Sequence, residues 1–247
     1  VRRGPYGGFV DTRRSTHARR DLKEIQMNQR QLLKYSAAPA AQPRPPIGES
    51  PASIDLPAPS LDARISLLAA LSARMSSREF AATPLPLDML ATMLWAADGV
   101  NRPASGGRTA PSAHAFNEID IHVALSCGVY RYDAPTHRLV LKHAADARNL
   151  TGYQDFVGSA PVDLVYVVRT AVTLEMPPQQ RDVFSAIAAG AIAQNVSLYC
   201  AAVGLGTVVR GWINHRALAD ALRLNEDELP ILAQTVGYRA NAIIPDA

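Results

Sequence analysis

Arg74, Ser76 and Arg78 stand at alternate positions in the segment Arg74-Met75-Ser76-Ser77-Arg78-Glu79-Phe80. In an extended chain alternate side chains share a face, so two planar guanidinium forks and a hydroxyl can meet one anion there. A phosphate monoester, with about −1.5 to −2 charges at pH 7, suits that arrangement. The same residues also fit a solvated basic turn at a helix end, where arginine favours the negative end of the dipole. Spacing alone leaves both readings open.

Two further segments have the residue types of a ligand site. Gly204-Leu-Gly-Thr-Val-Val-Arg-Gly-Trp212 sets glycines around a short apolar run. Gly204 and Gly206 fit a helix stop and turn, whereas Gly211, inside a strand pattern, marks a close approach of backbone to a ligand. The order strand, GxGxxG, helix is missing, so this is not a dinucleotide fingerprint. The long loop from Arg102 to His114 contains Gly106, Gly107 and two prolines. Glycine lets a ligand come close to the backbone, and Ser112 offers a donor, but an ordinary surface connection reads the same way.

Other chemistries fail on spacing. The six histidines (17, 114, 122, 137, 143 and 215) show no HExxH or paired metal pattern, and each reads as a surface or hydrogen-bonded residue. No GxSxG elbow or Walker loop occurs. Cys127 and Cys200 are far apart in apolar contexts, which argues against a disulfide framework or a cysteine-rich zinc site.

The elements that must position these segments are legible from residue 61 onward. Leu61, Ile65, Leu68 and Leu71 recur at helical spacing, and 87–98 predicts a second helix stopped by Gly99. Residues 118–125 alternate as a strand with one buried face. Residues 128–132 and 138–142 flank Asp-Ala-Pro-Thr as a hairpin, and 162–168 is apolar enough for a central strand covered on both sides. A long helix is expected over 182–203, a strand over 207–213, a helix capped by Asn214 and running to Leu224, and a last strand over 231–236. Helices and strands mix without a βαβ rhythm, which favours an α+β fold.

The 247 residues are 48% hydrophobic, with a formal net charge of +3. Residues 1–60 hold 10 Lys and Arg against 5 Asp and Glu, while 61–247 hold 15 against 17. The basic balance therefore belongs to the first 60 residues, where seven prolines between 39 and 59 favour extended, solvated chain. We expect a basic, Pro-rich, disordered tail over 1–60 and one globular domain over 61–247. The first methionine is Met27, so residues 1–26 read as a fragment boundary or upstream translation; without them the net charge is −1. No apolar h-region follows the Arg-Arg pairs, and no run of about 18 apolar residues suggests a membrane span. A cytoplasmic protein with no nucleic-acid or membrane partner is expected, since no aromatic stacking platform accompanies the basic tail.

Taken in order, four segments resemble the nitroreductase-like flavoproteins, in the branch that includes the SagB-type azoline dehydrogenases. They are Arg74-x-Ser76-x-Arg78-Glu79-Phe80; Leu94-Trp95-Ala96-Ala97-Asp98-Gly99-Val100-Asn101-Arg102; Gly107-Arg108-Thr109-Ala110-Pro111-Ser112-Ala113; and Gln194-Asn195 leading to Gly204-Leu205-Gly206-Thr207-Val208-Val209. The resemblance spans about residues 55–240. It implies an α+β fold with a central, mostly antiparallel sheet flanked by helices, and an interlocked homodimer with FMN at the subunit interface. Arg74, Ser76 and Arg78 would grip the FMN phosphate and ribityl chain, and Pro111 and Ser112 would approach from the partner subunit. Val209, Arg210 and Gly211 would lie beside the reactive flavin edge.

This chain departs from the resemblance at two places. Ala115 stands where many relatives carry an asparagine for the flavin pyrimidine, with His114 and Asn117 as the nearest polar side chains. Of the C-terminal basic residues that hold phosphate in relatives, only Arg239 is present. The implied activity is reduction of a nitroaromatic, quinone or similar small-molecule acceptor by NADH or NADPH, through FMN, in a ping-pong sequence. The alternatives are a SagB-type dehydrogenase acting on a peptide azoline or other specific substrate, or a flavin-binding protein without turnover. Flavin N5 carries the chemistry, so no side chain is assigned as catalytic. Arg210 is the one candidate beside N5, either as a cation stabilising reduced flavin or attracting an anionic substrate, or as a surface ion pair.

Overall fold

A computed structural model describes residues 42–62 and 65–240. Its centre is a seven-stranded sheet in the order β1-β6-β5-β4-β7-β9-β8, with every neighbouring pair antiparallel. The strands are β1 (Ser53–Asp55), β4 (Ile119–Leu125), β5 (Gly128–Asp133), β6 (Arg138–His143), β7 (Val162–Arg169), β8 (Leu205–Arg210) and β9 (Glu228–Tyr238); β2 (Val100–Arg102) and β3 (Gly107–Arg108) form a separate ribbon. The helices are α1 (Leu67–Ala73), α2 (Leu87–Asp98), α3 (Pro178–Val203) and α4 (His215–Leu222). The expected α+β fold with an antiparallel sheet is therefore present.

Alternation along the strands assigns two cores. Ile121, Val123, Leu164 and Tyr166 pack beneath α2 (Leu90, Met93, Leu94) and α3 (Ala189, Ile192, Val196). Their neighbours Ala124, Val165 and Val167 face the other way, onto Leu218 and Leu222 of α4. Strand β4 is thus covered on both faces rather than one, and His122 and Ala124 are fully buried. Each leucine or methionine buried under α2 contributes about 2 kcal/mol of transfer free energy.

Local chemistry sets the element ends. Gly204 stops α3 at φ +80° and donates its N–H to Cys200 O, a left-handed cap that glycine adopts without a Cβ clash. The Asn214 side chain accepts from Ala217 N at 3.1 Å and starts α4, which ends at Leu222 rather than Leu224. The first helix begins only at Leu67, where the Ser66 hydroxyl accepts from Ala69 N. Strand β8 ends at Arg210, short of the expected Ile213, and β9 extends well beyond 231–236 at both ends and lies inside the sheet, between β7 and β8.

Residues 42–60, expected as part of a solvated tail, are held by the globular body. Strand β1 pairs with β6, Leu56 joins the core, and Arg44 meets buried Asp146 at 2.8 Å. The remainder of that expected tail, 1–41, lies outside the described residues.

Helix α3 contains a 25-residue stretch long and apolar enough to cross a membrane. Its Ala188, Ala189, Ile192, Ala193, Val196 and Cys200 instead pack on the sheet, as a core helix does.

Candidate functional site

The segment carrying Arg74, Ser76 and Arg78 runs as a strap across the ends of β8 and β9. Ser76 pairs in parallel with Thr207, and Ser77 N donates to Thr207 O at 2.9 Å. Further along, Phe80 pairs with Arg239, and Ala81 N donates to Tyr238 O at 2.9 Å. Gly206 lets the strap lie this close: a Cβ there would stand 3.0 Å from both Ser77 Cβ and Arg239 Cγ. Since Ser77 faces Gly206, alternation turns Ser76 and Arg78 the other way.

Arg74, Ser76 and Arg78 are exposed, with no side-chain hydrogen bond or ion pair among the described residues. Arg239 packs against the same strap, and its Nε is buried without a partner. None of the three guanidinium groups is in an ion pair among the described residues, although Glu79 and Asp155 line the same groove as Arg78, and the orphaned Nε of Arg239 is a donor lacking an acceptor.

The end of β8 divides by parity. Val209 is 40% exposed and opens outward beside exposed Gly211. Arg210, one residue on, points through the opposite face and is 6% exposed. The guanidinium is thus neither a cation at the reactive edge nor part of a surface ion pair, the two expected alternatives, but lies in a buried ion pair. Its Nη2 donates to Asp163 Oδ1 at 2.7 Å and Thr235 Oγ1 at 2.6 Å, and Nη1 donates to Thr151 O at 2.6 Å. Burial raises the Asp163 carboxyl from its ordinary value, while Arg210 and the Thr235 and Thr151 hydroxyls pull it back down.

Pro111 and Ser112 are not brought into this group. The Ser112 hydroxyl donates to buried Glu118 at 2.7 Å and accepts from Asn117 N at 2.9 Å, so its proton is already committed within the loop. His114, Ala115 and Asn117 all have left-handed backbones, at φ 51°, 57° and 46°. Arg169 Nη2 donates to Asn117 O at 2.6 Å, and Asn117 Nδ2 donates to Ala115 O at 3.0 Å. Strain of this kind persists where the surroundings over-determine the turn.

Sequence reasoning missed the wall beside Arg78. A groove of about 730 Å³ is lined by Arg78, Phe80, Tyr153, Phe156 and neighbouring polar groups. Phe80 packs on Phe156 at 5.6 Å, Phe156 lies 5.8 Å from the Arg210 guanidinium, and Tyr153 meets Trp212 edge-on at 6.0 Å. The available signal was the aromatic pair Tyr153 and Phe156 in an otherwise polar turn, which has no periodicity.

His122 also departs from expectation. It is fully buried, and neither ring nitrogen has a partner. Its ligand atom lies within 4.8 Å of those of Asp120 and Glu228, a constellation the sequence did not suggest. Arg169 already pairs with Asp120, Lys142 stands 3.9 Å from Glu228, and Arg131 faces His122 across the β4–β5 register. Two carboxylates among three cations make a poor cage for a divalent ion.

A second cavity, of about 550 Å³, opens between α1, α2 and α3 and is lined by Leu67, Ala70, Met89, Trp95, Leu198 and Tyr199 among others. Apolar side chains around it face outward: Leu67 and Leu68 are 65% and 76% exposed.

A sequence profile of the nitroreductase family matches residues 71–238. A provisionally named nitroreductase from Methanocaldococcus jannaschii is 30% identical over 178 residues, which cover 67% of this chain and 87% of that protein. The crystal structure of a provisionally named nitroreductase from Ralstonia eutropha JMP134 superimposes with a TM-score of 0.79 at 54% identity, covering 82% of this chain and 96% of that one. At 20% identity, the NADPH:FMN oxidoreductase from Vibrio harveyi, solved with NAD+, shares the fold with a TM-score of 0.51, covering 73% of this chain and 72% of its own.

Proposed function

This chain belongs to the nitroreductase family, and from that membership we propose that it is an FMN-dependent oxidoreductase that uses NADH or NADPH to reduce nitroaromatic, quinone or similar acceptors. The observation that carries the reading is the cationic strap: Arg74 and Arg78 on the strap, and Arg239 just past the end of β9, where it pairs with Phe80, none of them in an ion pair among the described residues. The name of the Vibrio harveyi neighbour supports the same cofactor and donor.

Arg74, Ser76, Arg78 and Arg239 would hold the phosphate and ribityl end. The outward edge of β8, at Val209 and Gly211, would lie along the flavin ring. When bound, FMN supplies reversible two-electron hydride chemistry, accepting from NAD(P)H and delivering to the second substrate. The protein contributes fixed donors and an open edge, which accounts for the absence of an acid–base pair from the strap.

A homodimer belongs to the same proposal. Val183, Ile187 and Gly190 present an exposed apolar stripe on α3 at helical spacing, and Leu67 and Leu68 extend the apolar surface on α1. Pro111 and Ser112 would then reach the flavin of the partner subunit through their backbone, because the Ser112 hydroxyl is committed to Glu118.

The test is an absorbance spectrum of purified protein with added FMN, followed by anaerobic titration with NADH and NADPH. Yellow protein bleached by either nucleotide supports the reading. Protein that takes up no FMN overturns it.

A further inference from the structure

Arg210 ties together three parts of the chain that are remote in sequence. It is the last residue of β8; Asp163 lies on β7, Thr235 on β9, and Thr151 in the turn that precedes Tyr153 and Phe156. Asp163 and Thr235 are fully buried register partners, and Thr151 is fully buried as well. One guanidinium serves Asp163 Oδ1, Thr235 Oγ1, Thr151 O and Thr151 Oγ1, the last at 3.2 Å.

The local sequence is fitted to this contact. A Cβ on Gly152 would fall 2.0 Å from Arg210 Nη1, so the residue after Thr151 has to be small for the guanidinium to reach. The Phe156 ring covers the guanidinium at 5.8 Å and itself packs on Phe80 of the strap. Beyond Arg210 the backbone leaves the sheet through exposed Gly211 and Trp212. The Arg210 side chain is therefore the fixed point between Val209 and Gly211, the two residues of the outward edge.

We infer that Arg210 is a positioning residue: from inside the sheet, it fixes the Val209–Gly211 edge to the Thr151–Phe156 turn, so that the edge and the aromatic wall hold one geometry. This rests on the reading of that edge as the flavin edge. Lysine cannot replace it, because a point charge on a flexible stem lacks the planar fork that reaches Asp163 and Thr151 at once. Buried hydrogen-bonded charge of this kind breaks all at once when one partner is displaced, since the remaining charge is then left unpaired.

The experiment compares wild type, Arg210→Lys and Gly152→Ala by amide hydrogen exchange without added flavin, and by titration with FMN. Gly152→Ala crowds the guanidinium while leaving Arg210 and all charges in place, so it serves if Arg210→Lys does not fold. The expected result is faster exchange confined to Val209–Trp212 and Thr151–Phe156 in both variants, unchanged protection in β4, and roughly tenfold weaker FMN binding, equivalent to about 1.4 kcal/mol.

Unchanged exchange at Val209–Trp212 in a folded variant overturns the inference. So does exchange raised equally in β4 with FMN affinity unchanged, which is the signature of a purely structural residue. If wild type binds no FMN, the functional reading fails, and the exchange comparison still decides the clamp.

Discussion

Asp98 closes α2 with its carboxylate 3.0 Å from Arg108 Nη1, which also donates to the Asp98 main-chain oxygen at 3.0 Å. The pair ties the ribbon β2–β3 to the helix end. Burial still outweighs the guanidinium and raises the Asp98 carboxyl to about 7, with Asp120 and Glu118 adding to the rise. A carboxylate at a helix C-terminus also opposes the macrodipole.

The folded protein therefore holds a proton on Asp98 at pH values where the unfolded chain, titrating near the ordinary 3.8, has released it. Protons bound in excess by the native state mean that stability falls as pH rises. Wild type is expected to lose stability relative to Asp98→Asn between about pH 4 and pH 7, and the difference should level off above that. Denaturant unfolding of both proteins at several pH values checks it; a constant offset refutes the assignment.

His122 gives the opposite sign. Burial, then Lys142 and Arg131, lower its pKa to about 3, so the folded ring stays neutral while an unfolded one protonates below 6.5. Acid therefore favours unfolding at this site. His122→Leu removes that liability along with two buried, unpartnered nitrogens. We expect it to stabilise by about 1–3 kcal/mol near neutrality, the cost of a buried unsatisfied group, with the gain growing as pH falls toward 4. Thermal melts at pH 7 and pH 5 measure both effects.

How much of this was legible depended on whether a segment's own residues decide its structure. The nearly apolar run 162–168 suits a doubly covered strand, and Gly204 stops α3 by its left-handed backbone, whereas Gly99 ends α2 in an extended conformation where a Cβ would meet the Trp95 side chain. Leu61 and Ile65 continue the periodicity of α1, but Ser66 supplies a cap closer to the helix, and it sets the start. Strand β8 was read too long because Trp212 and Ile213 stay apolar after the backbone has left the sheet. The parity of β8 was already in the sequence: Val209 and Arg210, adjacent in a strand, cannot face the same side. The pairing of β1 with β6, the ion pair from Arg44 and the Tyr153–Phe156 wall were not legible. Each is decided by a distant partner rather than by local pattern.

The apolar stripe on α3 sets a further expectation. Ile187 is 61% exposed, Val183 lies one turn before it, and a Cβ on Gly190 would meet nothing within 4 Å. A charge at the centre of such a stripe is expensive to bury across an interface. Ile187→Glu should elute as a monomer by light-scattering chromatography where wild type elutes as a dimer, with its melting transition displaced and concentration-independent. A wild-type protein that is monomeric at micromolar concentration would remove the dimer from the proposal.

The cationic strap makes the sharpest demand on the flavin itself. If Arg239, with Arg74 and Arg78, meets the phosphate, its contribution must vanish for a flavin that has none. Charge-assisted hydrogen bonds contribute about 1.5–3 kcal/mol, or roughly 10- to 150-fold in affinity. Arg239→Met keeps the aliphatic stem that packs against Gly206 and Ser77 while deleting the charge. FMN affinity is therefore expected to fall by about that factor and riboflavin affinity to hold, with the wild-type preference for FMN weakening as salt is raised. Parallel fluorescence titrations with the two flavins measure this. An equal loss for both would show that Arg239 supports the strap without meeting the phosphate, and the anion assignment would then rest on Arg74 and Arg78 alone.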